Sequence, residues 1–155
     1  MSMVMVKPRE EHGFLEKLVG RWTVTSEMSD QPWTETVRSL HGLWFIAEGT
    51  GDMPGGGGPA TTMLTLGFDA AKGHYVGSWV GSMMDNLWVY DGYMEEDGRT
   101  LSLYTTGPAM EGEGMTDYRE QIIFLSDDHR LFRSSAKQPD GSWLQVMEAQ
   151  YHRER

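Results

Sequence analysis

Residues 64–92 read LTLGFDAAKGHYVGSWVGSMMDNLWVYDG, and this stretch decides the fold. Its apolar residues alternate with polar ones and are interrupted at Asp69-Ala70-Ala71-Lys72-Gly73 and again between Gly81 and Asp85. Period two with Gly- and Asp-bearing breaks is the pattern of consecutive half-buried β-strands joined by tight turns. Tyr75, Gly77, Trp79 and Gly81 then share one strand face, and Trp88, Tyr90 and Gly92 share another.

The same pattern extends both ways along the chain. Downstream, strands are expected over 100–106, 118–125, 130–136 and 142–152. Upstream, they are expected over 21–28, 33–40 and 43–51, and the central stretch itself contributes 61–68, 74–82 and 87–95. Glu96-Asp97-Gly98, Ser126-Asp127-Asp128 and Pro139-Asp140-Gly141 supply hairpin turns, because Gly, Asp and Pro either tolerate or preset the turn conformation. Links this short join antiparallel neighbours, since parallel crossovers need a dozen or more residues. Two longer connections, 52–60 with four consecutive glycines and 107–116, are placed at a barrel mouth. The only helical signal lies in 7–19, where Phe14, Leu15, Leu18 and Val19 cluster on one side and Gly20 stops the element. The expected fold is therefore all-β: one antiparallel meander barrel of about ten strands with one short N-terminal helix.

Composition narrows the function. The 155 residues suit one domain spanning 1–155, with residues 1–6 frayed. The chain has no cysteine, which excludes disulfides and thiolate chemistry. A formal net charge of -10 opposes nucleic acid and anionic membranes as partners. The opening MSMVMVKPREEHG carries too short an apolar run for a signal peptide, and no segment is long and apolar enough for a spanning helix, so a cytoplasmic protein is expected. Twelve methionines, several in the body of the chain, supply adaptable filler for an irregular core or the lining of a permissive pocket.

Gly20-Arg21-Trp22, at the head of the first strand and just after a short helix, resembles the Gly-x-Trp of the calycin barrels, which include the lipocalins. Nearly the whole chain resembles a bacterial family known as domain of unknown function 1579. The resemblance rests on Leu18-Val19-Gly20-Arg21-Trp22, Val37-Arg38-Ser39-Leu40, Gly42-Leu43-Trp44, Glu48-Gly49, Met53-Pro54-Gly55-Gly56-Gly57, Thr65-Leu66-Gly67-Phe68-Asp69 and the segments 77–84 and 87–92. It implies a calycin-like barrel and assigns no activity and no catalytic residue.

Several chemistries lack their motifs. The glycine run at 55–58 ends in Pro59 before a strand, not in Lys-Ser/Thr before a helix, so it reads as a flexible hairpin and not as a phosphate cradle. The five histidines show no metal-ligand spacing; His41 and His152 are the strand-flanking candidates for holding a haem, as some calycin relatives do, and no cofactor or metal is expected. Ser78 sits in mid-strand, outside any nucleophile elbow.

What remains is an interior. Glycines alternating with Tyr75, Trp79, Trp88 and Tyr90 leave space beside the rings, which suits a small, mostly apolar or aromatic ligand oriented by Trp N–H and Tyr O–H groups. A barrel filled by those rings is the competing arrangement. If Trp44 and Ile46 point inward, Glu48 does too, and Glu48 paired with Arg119 or Arg133 becomes an internal site. The expected ligand-binding set is thus Trp44, Glu48, Tyr75, Trp79, Trp88, Tyr90, Arg119 and Arg133. The alternatives are an isomerase- or hydratase-type enzyme with Glu48 as its base, and assembly, such as a homodimer, through an outer face bearing Trp33 and Trp143.

Overall fold

Period-two alternation closes on itself in the folded chain. A computed structural model describes residues 3–155, so Met1 and Ser2 of the expected frayed end lie outside the described residues. Ten strands follow in order: β1 (Gly20–Ser26), β2 (Trp33–Leu40), β3 (Trp44–Asp52), β4 (Pro59–Asp69), β5 (His74–Gly81), β6 (Trp88–Met94), β7 (Thr100–Pro108), β8 (Met115–Ser126), β9 (His129–Lys137) and β10 (Trp143–Arg153). Each pairs antiparallel with its sequence neighbours, and β10 returns to pair with β1, which makes a closed meander barrel. Closure gives every strand a partner on both sides.

The ladders fix which residues face inward. Trp22 of β1 stands opposite Glu35, which stands opposite Gly49. Continuing round the wall, Ala47 meets Leu64, Leu64 meets Trp79 and Trp79 meets Trp88. Further on, Leu103 meets Glu120 and Glu120 meets Ser134. These residues and their i±2 neighbours line the interior, and most of the buried core belongs to this set, including Trp22, Val37, Phe45, Leu66, Tyr90, Leu103 and Ile122.

One end of the barrel is plugged by α1 (His12–Glu16). Leu15 is 0% exposed and Phe14 meets Phe124 edge-on at 5.4 Å. The Trp22 indole N–H donates to the Leu18 carbonyl at 2.9 Å, and the Tyr75 hydroxyl donates to the Glu11 carbonyl at 2.7 Å. Arg153 ties the segment after the helix to the last strand, donating to the carbonyls of Val19 and Lys17 at 2.7 and 2.8 Å. The helix is shorter than the expected span of 7–19. Bonds of the i→i+3 type flank it on both sides, from His12 to Arg9 and from Val19 to Glu16, and β1 begins at once at Gly20, whose φ of 136° suits only glycine.

The short turns β2–β3, β4–β5, β6–β7 and β8–β9 share the plugged end, as alternate connections of a meander must. The remaining connections, including the 3-10 turn at Pro54–Gly56, stand at the opposite, loop end. All ten expected strands are present; β7 and β8 extend beyond the expected limits, so the loop between them is shorter than 107–116.

Candidate ligand-binding site in the barrel interior

The loop-end half of the interior is lined by aromatic rings and a few polar groups. Trp79 and Trp88, directly opposite each other on β5 and β6, both point inward yet are only partly buried. Tyr118 packs edge-on against Trp88 at 5.5 Å, and its hydroxyl donates to the Pro108 carbonyl at 2.8 Å. At the plugged end, by contrast, Trp22, Phe45 and Leu66 are almost wholly buried.

The glycines do not leave the space expected of them. A Cβ on Gly107 would sit 2.0 Å from the Trp88 ring, one on Gly51 2.3 Å from Trp33, and one on Gly81 2.6 Å from Trp79. Each of these three is a slot occupied by an indole. Gly81 is crowded by the Met83 sulfur as well, Gly77 by the Thr65 carbonyl and Leu66, and Gly92 by Leu103 and Tyr75, so the glycines that alternate with the rings are filled and open no cavity beside them. Trp33, expected outside, is one of these ring-in-slot residues. Two of the expected orienting donors are likewise committed within the protein: Tyr75 bonds the Glu11 carbonyl, and the Trp88 N–H points to the Met84 sulfur at 3.2 Å.

Four of the expected site residues lie outside. Phe45, Ala47 and Gly49 are the buried residues of β3, so Trp44, Ile46 and Glu48 occupy its outer face, and Trp44 is 44% exposed. Its indole covers bare backbone on β4, where a Cβ on Gly67 would come within 2.4 Å of the ring. Arg119 faces outward over Trp143, with its guanidinium 5.0 Å from the ring, and Arg133 pairs with Glu148 at 3.0 Å. Arg119 and Arg133 line a groove of about 470 Å³ on the outside of β7–β9. An internal pair between Glu48 and either arginine is thus ruled out by strand facing.

His41 and His152 also lie outside. His41 occupies the β2–β3 turn with φ 56°, and His152 stacks on His129 at 4.2 Å on the outer face of β10. The buried histidine is His12, whose Nδ1 accepts the Arg9 backbone N–H at 2.8 Å.

The interior charges come from residues the sequence did not single out. Arg130 on β9 donates from Nη2 to Glu35 Oε1 at 2.6 Å. Its guanidinium lies 4.1 Å from the Tyr151 ring and 4.5 Å from the Trp22 ring. Burial, with the Glu35 charge adding to it and Arg130 opposing it, holds the Tyr151 hydroxyl far above the usual tyrosine range.

Glu120 is different. It points inward from β8 between Leu103 and Ser134, and its Oε2 is buried without a hydrogen-bond partner. Burial pushes its carboxyl up to about 7, opposed by the Ser134 hydroxyl. It is then partly neutral at physiological pH. Burial raises the Tyr90 and Tyr118 hydroxyls too, with the Glu120 charge adding to both, so the three groups share one neighbourhood. The face of β8 bearing Tyr118, Ile122 and Phe124 is the one turned inward, and that choice alone would have carried Glu120 with it.

Fold and lining together define a closed antiparallel barrel with a plugged end and a polar, aromatic-walled half. The chain belongs to the family described as "Protein of unknown function (DUF1579)", whose model matches residues 7–153. No curated protein matches it. Among solved structures it is similar to the S-type phycobiliprotein lyase CPES from Guillardia theta, with 16% identity, 95% of this chain and 94% of that chain covered, and a TM-score of 0.53. It also aligns with a redesigned β-barrel, b11L5F_LGL, at 14% identity, 90% and 94% coverage and a TM-score of 0.44. At such identities the likeness to the lyase is one of fold. No helix among the described residues is long and apolar enough to cross a membrane.

Proposed function

We propose that the loop-end half of the barrel binds a small, mostly apolar or aromatic molecule. The observation that supports this reading is that the inward-pointing Trp79 and Trp88 stay only partly buried at the loop end, in a barrel whose other end is sealed by Leu15, Phe14 and Trp22. Inward rings left in contact with solvent are surface that a ligand can take out of water, at about 25 cal/mol per Å² of apolar area. Ten strands also enclose more room than the eight whose side chains alone suffice to fill a barrel. The phycobiliprotein lyase is an instance of this fold in a protein with a stated activity, and the calycin-like arrangement fits the same use.

The reading is one of binding. A reaction based on Glu48 has no place in it, because that carboxylate is on the outer face. The test is a thermal-shift screen of small apolar and aromatic compounds, with hits checked by quenching of tryptophan fluorescence. Binders should raise the melting temperature, and Trp88→Ala should weaken them. A broad screen without a single stabilising compound, or hits indifferent to Trp88→Ala, overturns it.

A further inference from the structure

The groove on the outer wall over β7–β9, about 470 Å³, has the size of a small-molecule site. It forms because β7 turns small side chains outward there. Leu101 and Leu103 face the core, so Thr100 and Ser102 face out, both buried beneath longer neighbours on either side. Glu95 and Asp97 stand on the β6 side, and Arg119, Gln121 and Arg133 on the β8–β9 side.

Four charged groups therefore edge this groove, and two of them are satisfied within the protein. Arg133 pairs with Glu148 at 3.0 Å. Asp97 serves the β6–β7 turn: one oxygen accepts the Arg99 and Thr100 backbone N–H groups at 2.9 and 3.0 Å, and the other accepts the Thr100 hydroxyl at 2.7 Å. Arg119 and Glu95 are left. Among the described residues, ion pairs form at Arg21, Arg99, Arg130, Arg133, Arg153 and Arg155 but not at Arg119, in a chain with 23 acidic residues against 13 basic ones. Its guanidinium is held over the Trp143 ring at 5.0 Å, and its Nε has no hydrogen-bond partner. Glu95 is fixed by neutral groups, with Oε1 accepting the Ser102 hydroxyl, whose oxygen in turn accepts the Gln121 amide, both at 3.0 Å. Coming from opposite sides of β7, Arg119 and Glu95 do not pair with each other.

We propose that this groove binds a zwitterion, a short hydrocarbon chain whose carboxylate end is taken by Arg119 and whose ammonium end is taken by Glu95. The hydrocarbon lies against Ile123 and Leu125, which also line the groove. A guanidinium suits a carboxylate because its fork donates parallel N–H groups to both oxygens, and stacking on Trp143 fixes the fork before the ligand arrives. Singly charged ligands fit less well. An anion meets Glu95 and a net charge of -10, and a cation meets Arg119. The site is outside the barrel and does not rest on the interior reading.

The test uses 6-aminohexanoate, hexanoate and hexylamine, which share one carbon skeleton and differ in their charged ends. Each is titrated into the isotope-labelled full chain, and binding is followed by amide chemical shifts. The zwitterion should move amides in 100–102, 119–123 and 131–133, with a Kd about tenfold or more below that of either analogue. Arg119→Gln should lower its affinity to that of hexylamine, and Glu95→Gln to that of hexanoate. Trp88→Ala, inside the barrel, should leave it within about twofold. The wild-type comparison stands even if a variant fails to fold. A singly charged analogue that binds as tightly, affinity retained in Arg119→Gln, shifts confined to the inner wall, or no binding by any of the three overturns the proposal. The interior reading keeps its own test in the screen of apolar compounds, whose hits Arg119→Gln should leave unaltered.

Discussion

Arg130 and Glu35, 95 residues apart in sequence, meet inside the barrel with Nη2 donating to Oε1 at 2.6 Å. The Arg130 side chain is 3% exposed and that of Glu35 12%, so neither ion can recover its hydration if the other is removed. Arg130→Met should therefore destabilise the protein by about 3–5 kcal/mol in urea unfolding, since it strands a buried carboxylate. The double variant Arg130→Met with Glu35→Met should recover most of that loss. Equal destabilisation in the single and double variants would show that packing against Trp22 and Tyr151, not charge pairing, is what Arg130 contributes.

Glu120 gives stability a pH dependence with a definite sign. Its carboxyl is raised from 4.5 to about 7 on folding, so between those values the folded state holds a proton that the unfolded state has released. Stability from this group is fully present below pH about 4.5 and is lost as pH rises through 7, a total of about 3 kcal/mol. Glu120→Gln should abolish that decline, so the variant overtakes the wild type in melting temperature above neutrality. Parallel pH profiles for the two proteins would refute the assignment.

The indole slots are tight enough to be read by substitution. Gly107→Ala would place a methyl group 2.0 Å from the Trp88 ring, so the ring must leave its seat. A loss of about 1–3 kcal/mol is expected, together with a shift in tryptophan emission. An alanine variant with unchanged emission and stability would mean that Trp88 is not fixed by this slot.

Arg153 links the last strand to the helix plug through the Val19 and Lys17 carbonyls, and its guanidinium lies 4.3 Å from the Trp22 ring. Arg153→Met keeps much of the apolar stem and removes the donors. A cost of about 1–3 kcal/mol is expected, with hydrogen exchange faster in 12–20 than in the strands. Uniformly faster exchange would show that the residue supports the barrel wall and not the plug.

Strand positions were legible because period two and turn residues are local signals. Strand facing was not. In β3, both faces carry apolar residues, Trp44 and Ile46 on one and Phe45 and Ala47 on the other, and what decides between them is Gly67 on the next strand. Only its missing side chain lets an indole lie on the outer wall. Choosing the other face carried Glu48 inward on paper. Arg119 and Arg133 followed it, while Glu35 and Arg130 went unremarked; on β8 the alternation left either face, that of Glu120 or that of Arg119, open to the interior. Trp79, Trp88 and Tyr90 were placed on the inner wall correctly because Tyr75 and Trp79 share one face of β5 and Trp88 and Tyr90 one face of β6, with only Tyr93 on the other.

The pairing of β1 with β10 also sets the order of events when the chain is made. Thr23 and Glu154, which join side chains across that seam, are 131 residues apart, so the first strand has no partner on that side until β10 has been made. Until then β1 and whichever strand was made last are open edges, competent to pair with another molecule. Closing so large a loop is a slow, entropically costly step. Truncation within β10 would leave those edges permanently bare, and chains shortened there should associate with one another instead of merely unfolding.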